Sequence, residues 1–97
     1  MKLRFSQRAA QDLVDIGSYL QSRSPGGAAN VRAEILDSLQ ILTEFPFAGR
    51  MQSVEGVRKI VTRKYSYVIY YEISPVRDAI VVIAVQHPSR KREFEDN

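Results

Sequence analysis

Apolar residues recur at helical spacing along the first quarter of the chain. The intervals of four, three and four residues put one stripe on a single helical face, formed by Ala9, Leu13, Ile16 and Leu20. Ser6 precedes this stripe and is a suitable N-cap, because its hydroxyl can accept a hydrogen bond from an amide of the first turn. The pattern therefore predicts a helix that begins after Ser6 and ends near Arg23.

A second apolar stripe starts directly after Ser24-Pro25 and consists of Ala28, Val31, Ile35, Leu39 and Leu42. Proline is tolerated at the first position of a helix, where its missing N–H costs nothing, and Ser24 can cap the helix. The helix is predicted to end before Pro46, since the residue before a proline disfavours helical geometry. Two amphipathic helices joined at so sharp a corner predict an antiparallel hairpin with one shared apolar seam.

The period changes to two in the second half. After a predicted loop from Phe45 to Gly56, runs of β-branched and aromatic residues predict strands over Val57–Thr62, Tyr65–Ile73 and Ala79–Gln86. In the middle strand one face is expected to hold Tyr65, Tyr67, Ile69, Tyr71 and Ile73. Short connections favour an antiparallel meander, one side of which packs on the helices. With an extended start at Lys2–Phe5, the chain is predicted to be an α+β fold, β-α-α-β-β-β, with a helix hairpin on a twisted antiparallel sheet.

Length and composition narrow the class of protein. Ninety-seven residues predict one domain, 1–97, and the acidic tail at 93–97 is expected to be flexible. No cysteine and a single histidine argue against a disulfide framework and a zinc site, and no cofactor is expected. The sequence shows no secretory signal and no apolar run long enough to cross a bilayer. We therefore expect a cytoplasmic protein.

Charge is distributed unevenly along the chain. Residues 1–55 hold six basic and six acidic groups, whereas residues 56–92 hold eight basic and two acidic groups, a net charge of +6. Such asymmetry indicates a polyanion or an acidic protein segment as the partner of the second half. A solvated basic surface without a partner is the alternative interpretation.

Several segments, taken in order, carry a resemblance to a known family. They are the opening LRFSQRAAQDLVDIGSYL, the helix SPGGAANVRAEILDSLQIL, the loop FPFAGR, the strand region VRKIVTRKYSYVIYYEI and the closing IAVQHPSRK. Together they resemble the RelE/ParE toxins of type II toxin–antitoxin systems over almost the whole chain, and the ParE branch in particular. The resemblance implies two N-terminal helices packed on a twisted antiparallel sheet, as the periodicity predicts.

The resemblance also implies partners and two competing activities. A cognate ParD-like antitoxin would neutralise the toxin in a heterotetramer or larger assembly, with operator DNA bound only through the antitoxin. ParE-like members inhibit DNA gyrase and need no catalytic residues, whereas RelE-like members cut messenger RNA on the ribosome. A nucleic-acid-binding module without toxicity would account for the basic second half but not for the whole-chain resemblance.

Metal-free RNA cleavage would require an acid, a base and cations over the phosphate. The candidates on this chain are His87 as acid or base, Arg58, Arg63 and Arg90 as phosphate clamps, and Tyr65 as an assisting group. Each residue also has an ordinary structural role, from core packing for Tyr65 to a hydrogen-bonding histidine at the end of a strand. Residues 93–97 contain three acidic residues and no tyrosine, which disfavours RNA binding.

A non-enzymatic ParE-like toxin is therefore the favoured hypothesis. The residues expected to bind the antitoxin or the target are Arg50, Arg58, Lys59, Arg63 and Phe47, since arginine and aromatic side chains are frequent anchors of protein interfaces. At least one of Phe45 and Phe47 is expected to close the bottom of the core.

Overall fold

A computed structural model describes residues 1–90 of the chain. The elements, in order, are β1 (Lys2–Phe5), α1 (Gln7–Arg23), α2 (Pro25–Glu44), a 3₁₀ turn (Pro46–Ala48), β2 (Arg50–Met51), β3 (Val57–Val61), β4 (Val68–Ser74) and β5 (Ala79–Gln86). The predicted α+β order is confirmed, and the 3₁₀ turn and β2 are added within the predicted loop. None of the described helices is long and apolar enough to span a membrane. The acidic tail at 93–97 lies outside the described residues.

The helix hairpin is set by two serine caps, as predicted. The Ser6 hydroxyl accepts a hydrogen bond from the Ala9 amide at 3.0 Å. Ser24 is the single residue between the helices, and its hydroxyl accepts from the Gly27 amide at 3.1 Å. Because Ser24 is extended, it ends α1 and begins α2 within one residue. The local sequence alone therefore determines this corner.

The five strands form one sheet in the order β1-β5-β4-β3-β2. The pairs β2–β3, β3–β4 and β4–β5 are antiparallel, in agreement with the predicted meander. The difference from the sequence prediction lies at β1, which pairs in parallel with β5. The helix hairpin carries the chain from β1 at one edge of the sheet to β2 at the other, so β1 fills the edge that the meander would leave open at β5.

The core lies between the hairpin and one face of the sheet. It joins the helix seam to the side chains that the alternation of β4 predicted, and its fully buried members include Ala9, Leu39, Leu42, Ile69, Tyr71, Ile80 and Val82. A second buried cluster lies on the opposite face of the sheet and consists of Val57, Val68, Tyr70 and Ala84. The sheet is thus apolar on both faces, which explains why β5 reads as a nearly continuous apolar run rather than as an alternating one.

The turn between β3 and β4 is longer than the sequence predicted. The middle strand begins at Val68 rather than Tyr65, and the preceding strand ends at Val61 rather than at Thr62. Ser66 has a φ of 59°, outside the range of a strand. The carboxylate of Glu34 on α2 accepts hydrogen bonds from the amides of Lys64 at 2.6 Å and Tyr65 at 2.9 Å. A tertiary contact from α2 therefore stabilises this turn.

Glu34 should make stability depend on pH. Burial raises the pKa of Glu34, but the two turn amides lower it more, so that the pKa lies below its ordinary value. A lowered pKa contributes stability above the unfolded-state pKa, and this contribution is lost as the pH falls through the folded-state pKa. We expect Glu34→Gln to reduce the free energy of unfolding by about 1 kcal/mol near neutral pH, the scale of a hydrogen bond to an exposed charged group.

Urea unfolding at pH 7 and pH 3 tests this expectation. The difference between wild type and Glu34→Gln should shrink at pH 3, because protonation of the wild-type carboxyl increases as the pH falls toward its lowered pKa. Asp37→Asn on the exposed face of α2 is the control, and it should leave the urea midpoint nearly unchanged at both pH values. An equal loss at both pH values would show that Glu34 contributes through packing rather than through its charge.

Candidate protein-docking site

Three large apolar side chains are exposed where the chain leaves α2 and enters the sheet. Phe45, Phe47 and Met51 are 62%, 71% and 67% exposed. Phe47 lies within the 3₁₀ turn, and Phe45 and Met51 lie on either side of it; we call these three residues the aromatic corner. Large apolar side chains that are exposed close together in the chain often mark a surface that binds another protein. The aromatic corner is therefore the first candidate for a protein-docking site.

Tyr71 of β4 holds the backbone of the aromatic corner from beneath. Its hydroxyl accepts a hydrogen bond from the Gly49 amide at 2.8 Å and donates one to the Pro46 carbonyl at 2.7 Å. Burial raises the pKa of Tyr71, although the Gly49 hydrogen bond and the charge of Arg58 oppose the shift. The hydroxyl thus remains protonated and able to donate. One buried side chain closes both ends of the turn that presents Phe47.

Glycine is required at position 49 because the backbone passes close to the Tyr71 side chain, and not because of its backbone conformation. Its φ is −76°, which any residue can adopt. A Cβ atom at this position would lie 2.5 Å from the Tyr71 hydroxyl oxygen and 2.6 Å from Cε1 of the same ring. Because the ring is buried and its hydroxyl makes two hydrogen bonds, it cannot easily move aside. The glycine therefore allows the turn to rest directly on β4.

Arg58 of β3 completes the support of the aromatic corner. Its Nη1 donates a hydrogen bond to the Gly49 carbonyl at 2.8 Å, and its guanidinium carbon lies 5.0 Å from the centroid of the Phe47 ring. A guanidinium at this distance over an aromatic face is a favourable cation–π contact. Arg58 is half-buried, so it orients Phe47 and leaves part of its charge at the surface.

The expectation that Phe45 or Phe47 closes the core is wrong. Both rings are more than half exposed. The space beneath the turn is already filled by Tyr71, whose ring lies against Gly49. A sequence pattern cannot show this, because the apolar character of Phe45 and Phe47 fits core packing and interface exposure equally well. Tyr71 and Gly49 were both absent from the predicted site, although they hold it in place.

The other cations predicted to bind a partner lie along β2, β3 and the turn that follows. Arg50 is exposed on β2 and pairs with Lys59 of β3 in the register of the sheet. Arg63 is exposed in the turn between β3 and β4. The structure therefore brings Arg58 and Phe47 together at the aromatic corner, whereas Arg50 lies opposite Lys59 and so on the other face of the sheet from Arg58. It places Arg63 beyond the other end of β3.

His87 lies in a different place, next to α1. In the β4–β5 register Tyr70 pairs with Ala84 and Tyr71 with Val82, so that Ile83 is an extra residue in β5. Such a bulge changes which face the following side chains occupy. The His87 ring is thereby brought to the helix side of the sheet, where its centroid lies 5.4 Å from that of Tyr67 and 6.5 Å from that of Tyr19.

The ring of His87 borders a cleft of about 350 Å³ between α1 and the end of β5, which Arg90 also lines. The Ser89 amide donates to Nδ1 of His87 at 3.1 Å, so Nδ1 acts as an acceptor and the proton of the neutral ring is on Nε2. Arg58, Arg63 and Tyr65 do not line this cleft. Of the five residues considered for RNA cleavage, the structure therefore brings only His87 and Arg90 together.

The hairpin itself presents a long apolar groove between α1 and α2. Its volume is about 820 Å³, and its lining includes Leu13, Ile16, Leu20, Ile35 and Leu39 of the two helix stripes. Val14 and Leu36 also line it, and they are 59% and 52% exposed. This volume lies within the range of about 300–1,000 Å³ that is typical of ligand-binding pockets.

Residues 3–92 match the family model described as the ParE toxin of the type II toxin–antitoxin system parDE. The chain belongs to the ParE toxin family. A relative is the candidate toxin Y4kP of Sinorhizobium fredii (strain NBRC 101917 / NGR234), which is 34% identical over 86 residues, 89% of this chain and 86% of that protein. This protein is therefore a ParE-like toxin of a type II toxin–antitoxin system.

Solved structures of related systems share the fold. The chromosomal ParDE system of P. aeruginosa matches with a TM-score of 0.76 at 21% identity, covering 90% of this chain and 95% of that one. The intact RelBE toxin–antitoxin complex of E. coli matches with a TM-score of 0.69 at 23% identity, covering 92% and 98%. At these identities the likeness shows the fold alone. It confirms the RelE/ParE-like architecture that the sequence predicted.

Proposed function

We propose that this ParE-like toxin inhibits DNA gyrase by docking on it through the aromatic corner, without catalysis. The observation on which the proposal rests is the rigid presentation of an exposed apolar surface. Phe47 is 71% exposed, yet its turn is tied to Tyr71 at two backbone atoms and its ring is in contact with Arg58. An anchor that is ordered before binding loses little conformational entropy when it binds. Aromatic and arginine side chains are also the commonest anchors of protein interfaces.

The separation of the nuclease candidates supports the same proposal. Acid, base and phosphate clamps must all be within hydrogen-bond reach of one scissile phosphate. Here Arg58 is bonded to Gly49 at the aromatic corner, whereas His87 lies next to Tyr67 and Tyr19. Tyr65 is packed against the core, and its amide is bonded to Glu34. These residues occupy separate parts of the fold, which favours a docking function.

A ParD-like antitoxin is the proposed regulator. The structural neighbours include the ParDE system of P. aeruginosa and the RelBE complex of E. coli, both toxin–antitoxin systems. We expect the antitoxin to place apolar residues in the groove of the helix hairpin and acidic residues against Arg58, Lys59 or Arg63. The assembly is proposed to be a heterotetramer or larger, in which operator DNA is bound through the antitoxin.

A supercoiling assay with purified gyrase tests the proposed target. Toxin alone should inhibit the supercoiling of relaxed plasmid, and an equimolar amount of the antitoxin should restore it. The control is gyrase with the antitoxin alone, which should be fully active. Normal supercoiling at a large excess of folded toxin would refute gyrase inhibition. Translation would then be the next process to test.

One observation favours the RelE-like alternative, because His87 and Arg90 line the same cleft. It is tested by growth inhibition in cells that express His87→Gln. If the toxin docks without catalysis, this variant should stay within about twofold of the wild-type toxicity, since the aromatic corner is unchanged. Loss of a catalytic acid or base would instead reduce activity by roughly 10²–10⁴-fold. Thermal unfolding of the purified variant shows whether a loss of toxicity reflects unfolding.

A further inference from the structure

The backbone N–H and C=O groups of successive β3 residues point alternately toward β4 and toward the side of β2. The register shows which residues point to which side. The Thr62 amide donates to the Tyr67 carbonyl at 2.9 Å, so Thr62 directs its polar backbone groups toward β4. Ile60 and Arg58, two and four residues earlier, do the same. Val57 faces the other way, because its carbonyl accepts from the Gln52 amide at 2.9 Å. By this alternation the amide and carbonyl of Val61 point away from β4.

No described strand covers Val61 on that side. The neighbouring strand β2 has only two residues, and they pair with Lys59 and Arg58. Just before β2 the chain leaves the sheet as the 3₁₀ turn, and the Gly49 amide between the two is bonded to the hydroxyl of Tyr71. The result is a notch in the edge of the sheet next to Val61, whose side chain is 44% exposed. A bare edge of this kind is a template for another extended chain.

The charges around the notch indicate what kind of chain it would accept. Residues 56–71 contain Arg58, Lys59, Arg63 and Lys64 and no acidic residue. The carboxylate of Glu34 on α2 is already bonded to the amides of Lys64 and Tyr65. Arg63 is exposed directly after the notch, and Arg50 lies before it on β2. An acidic segment complements this surface better than a neutral or basic one.

We propose that an extended acidic segment of the antitoxin enters this notch and pairs with the backbone of Val61 as a short additional strand. This inference rests on the proposed antitoxin partner but does not depend on the identity of the toxin's target. Main-chain hydrogen bonds to Val61 supply affinity, and carboxylates placed toward Arg63 and Arg50 supply selectivity.

The position of the notch explains how binding there would neutralise the toxin. If β2 continued backward in its register with β3, Ala48 would stand opposite Val61. The notch is therefore the place that the 3₁₀ turn vacates, and it borders the aromatic corner. An antitoxin segment lying in the notch covers the approach to Phe47. The antitoxin then blocks the target surface directly and need not change the conformation of the toxin.

Val61→Pro tests the backbone pairing. Proline lacks an N–H, and it is tolerated at an edge position whose N–H faces solvent. We expect Val61→Pro to weaken binding of the full-length cognate antitoxin by at least tenfold in calorimetry. Val61→Thr keeps the N–H and a β-branched side chain, and should bind within about twofold of wild type. Equal affinity of a folded Val61→Pro variant for the antitoxin would overturn the proposal.

Hydrogen exchange on the wild-type toxin provides a measurement that does not depend on how Val61→Pro folds. The Val61 amide should exchange rapidly in free toxin and become protected in the complex, and unchanged exchange on binding would likewise overturn the proposal. Arg63→Glu should lower antitoxin affinity by about tenfold, whereas Arg77→Glu in the β4–β5 turn should change it less than twofold. If the notch instead joins two toxin copies, Val61 will already be protected in free toxin and light scattering will show a dimer, which would also refute it.

Discussion

Replacing Gly49 with alanine is expected to destabilise the toxin by about 3 kcal/mol, near the upper end of the usual cost of overpacking a core. The added Cβ would lie 2.5 Å from the Tyr71 hydroxyl and 2.6 Å from its ring. To make room, either the ring must leave its buried position or the turn must lift from the sheet. Both movements break the hydrogen bonds of the hydroxyl to Gly49 and Pro46.

Gly17→Ala is the matched control for this prediction. A Cβ on Gly17 meets no atom within 4 Å, and the residue lies within α1, where alanine is favoured over glycine by roughly 0.5–1 kcal/mol. Thermal unfolding should therefore show opposite signs, with Gly49→Ala lowering the Tm by on the order of 15 °C and Gly17→Ala raising it slightly. Similar Tm values for Gly49→Ala and wild type would show that Tyr71 does not constrain the turn.

Phe47→Ala is expected to weaken gyrase inhibition by roughly 30-fold or more, the loss associated with an interface hot spot of about 2 kcal/mol. The ring is 71% exposed, so its removal deletes contact area without opening a cavity in the core. Arg58 would keep its hydrogen bond to the Gly49 carbonyl, and Tyr71 would still hold the turn. The change therefore removes the anchor and leaves its support intact.

Supercoiling titrations with the two purified proteins measure this effect. Val76→Ala is the control, because Val76 is 97% exposed in the turn between β4 and β5 and lies far along the chain from the aromatic corner. Its inhibitory concentration should equal that of wild type, and both variants should unfold at nearly the wild-type temperature. If Phe47→Ala inhibits gyrase as strongly as wild type, the aromatic corner is not the docking site.

The Gly49 and Phe47 variants separate two contributions to the same surface. Phe47→Ala removes a contact, whereas Gly49→Ala disturbs the geometry that presents it. If docking depends on preorganisation, Gly49→Ala should also weaken inhibition at temperatures where the variant is still folded. In the wild type the turn is already ordered, so that ordering it takes up none of the binding energy. In Gly49→Ala part of the binding energy would be needed to order the turn.

Parts of the structure that depend on neighbours in sequence could be predicted well. The helices follow from stripes of apolar residues and from Ser6 and Ser24, whose hydroxyls bond amides three residues away. The β5 strand was predicted with its observed bounds, Ala79–Gln86. The facing side chains of the predicted middle strand followed from alternation, and Tyr67, Ile69 and Tyr71 are in the core under the helices.

The candidate site could be predicted only in part. The loop sequence and its cations drew attention to Phe47 and Arg58, which the structure places in contact, and to Arg50, which faces the other side of the sheet. Its support could not be foreseen, because Tyr71 is 22 residues from Gly49 and only the folded sheet brings them into contact. Likewise, nothing local indicates that Glu34 bonds a turn 30 residues later.

The sequence by itself determined the order of the two helices and of β1, β3, β4 and β5, the helix corner at Ser24 and the excess of basic charge in the second half, since each depends on residues close together in the chain. The tertiary structure decided what depends on distant partners. It placed β1 in parallel beside β5, and it shifted His87 to the helix face through the bulge at Ile83. It also left the backbone of Val61 open at the edge. Pairing between strands is set by long-range hydrogen bonds and packing, and an apolar run such as β5 contains no alternation that could reveal them.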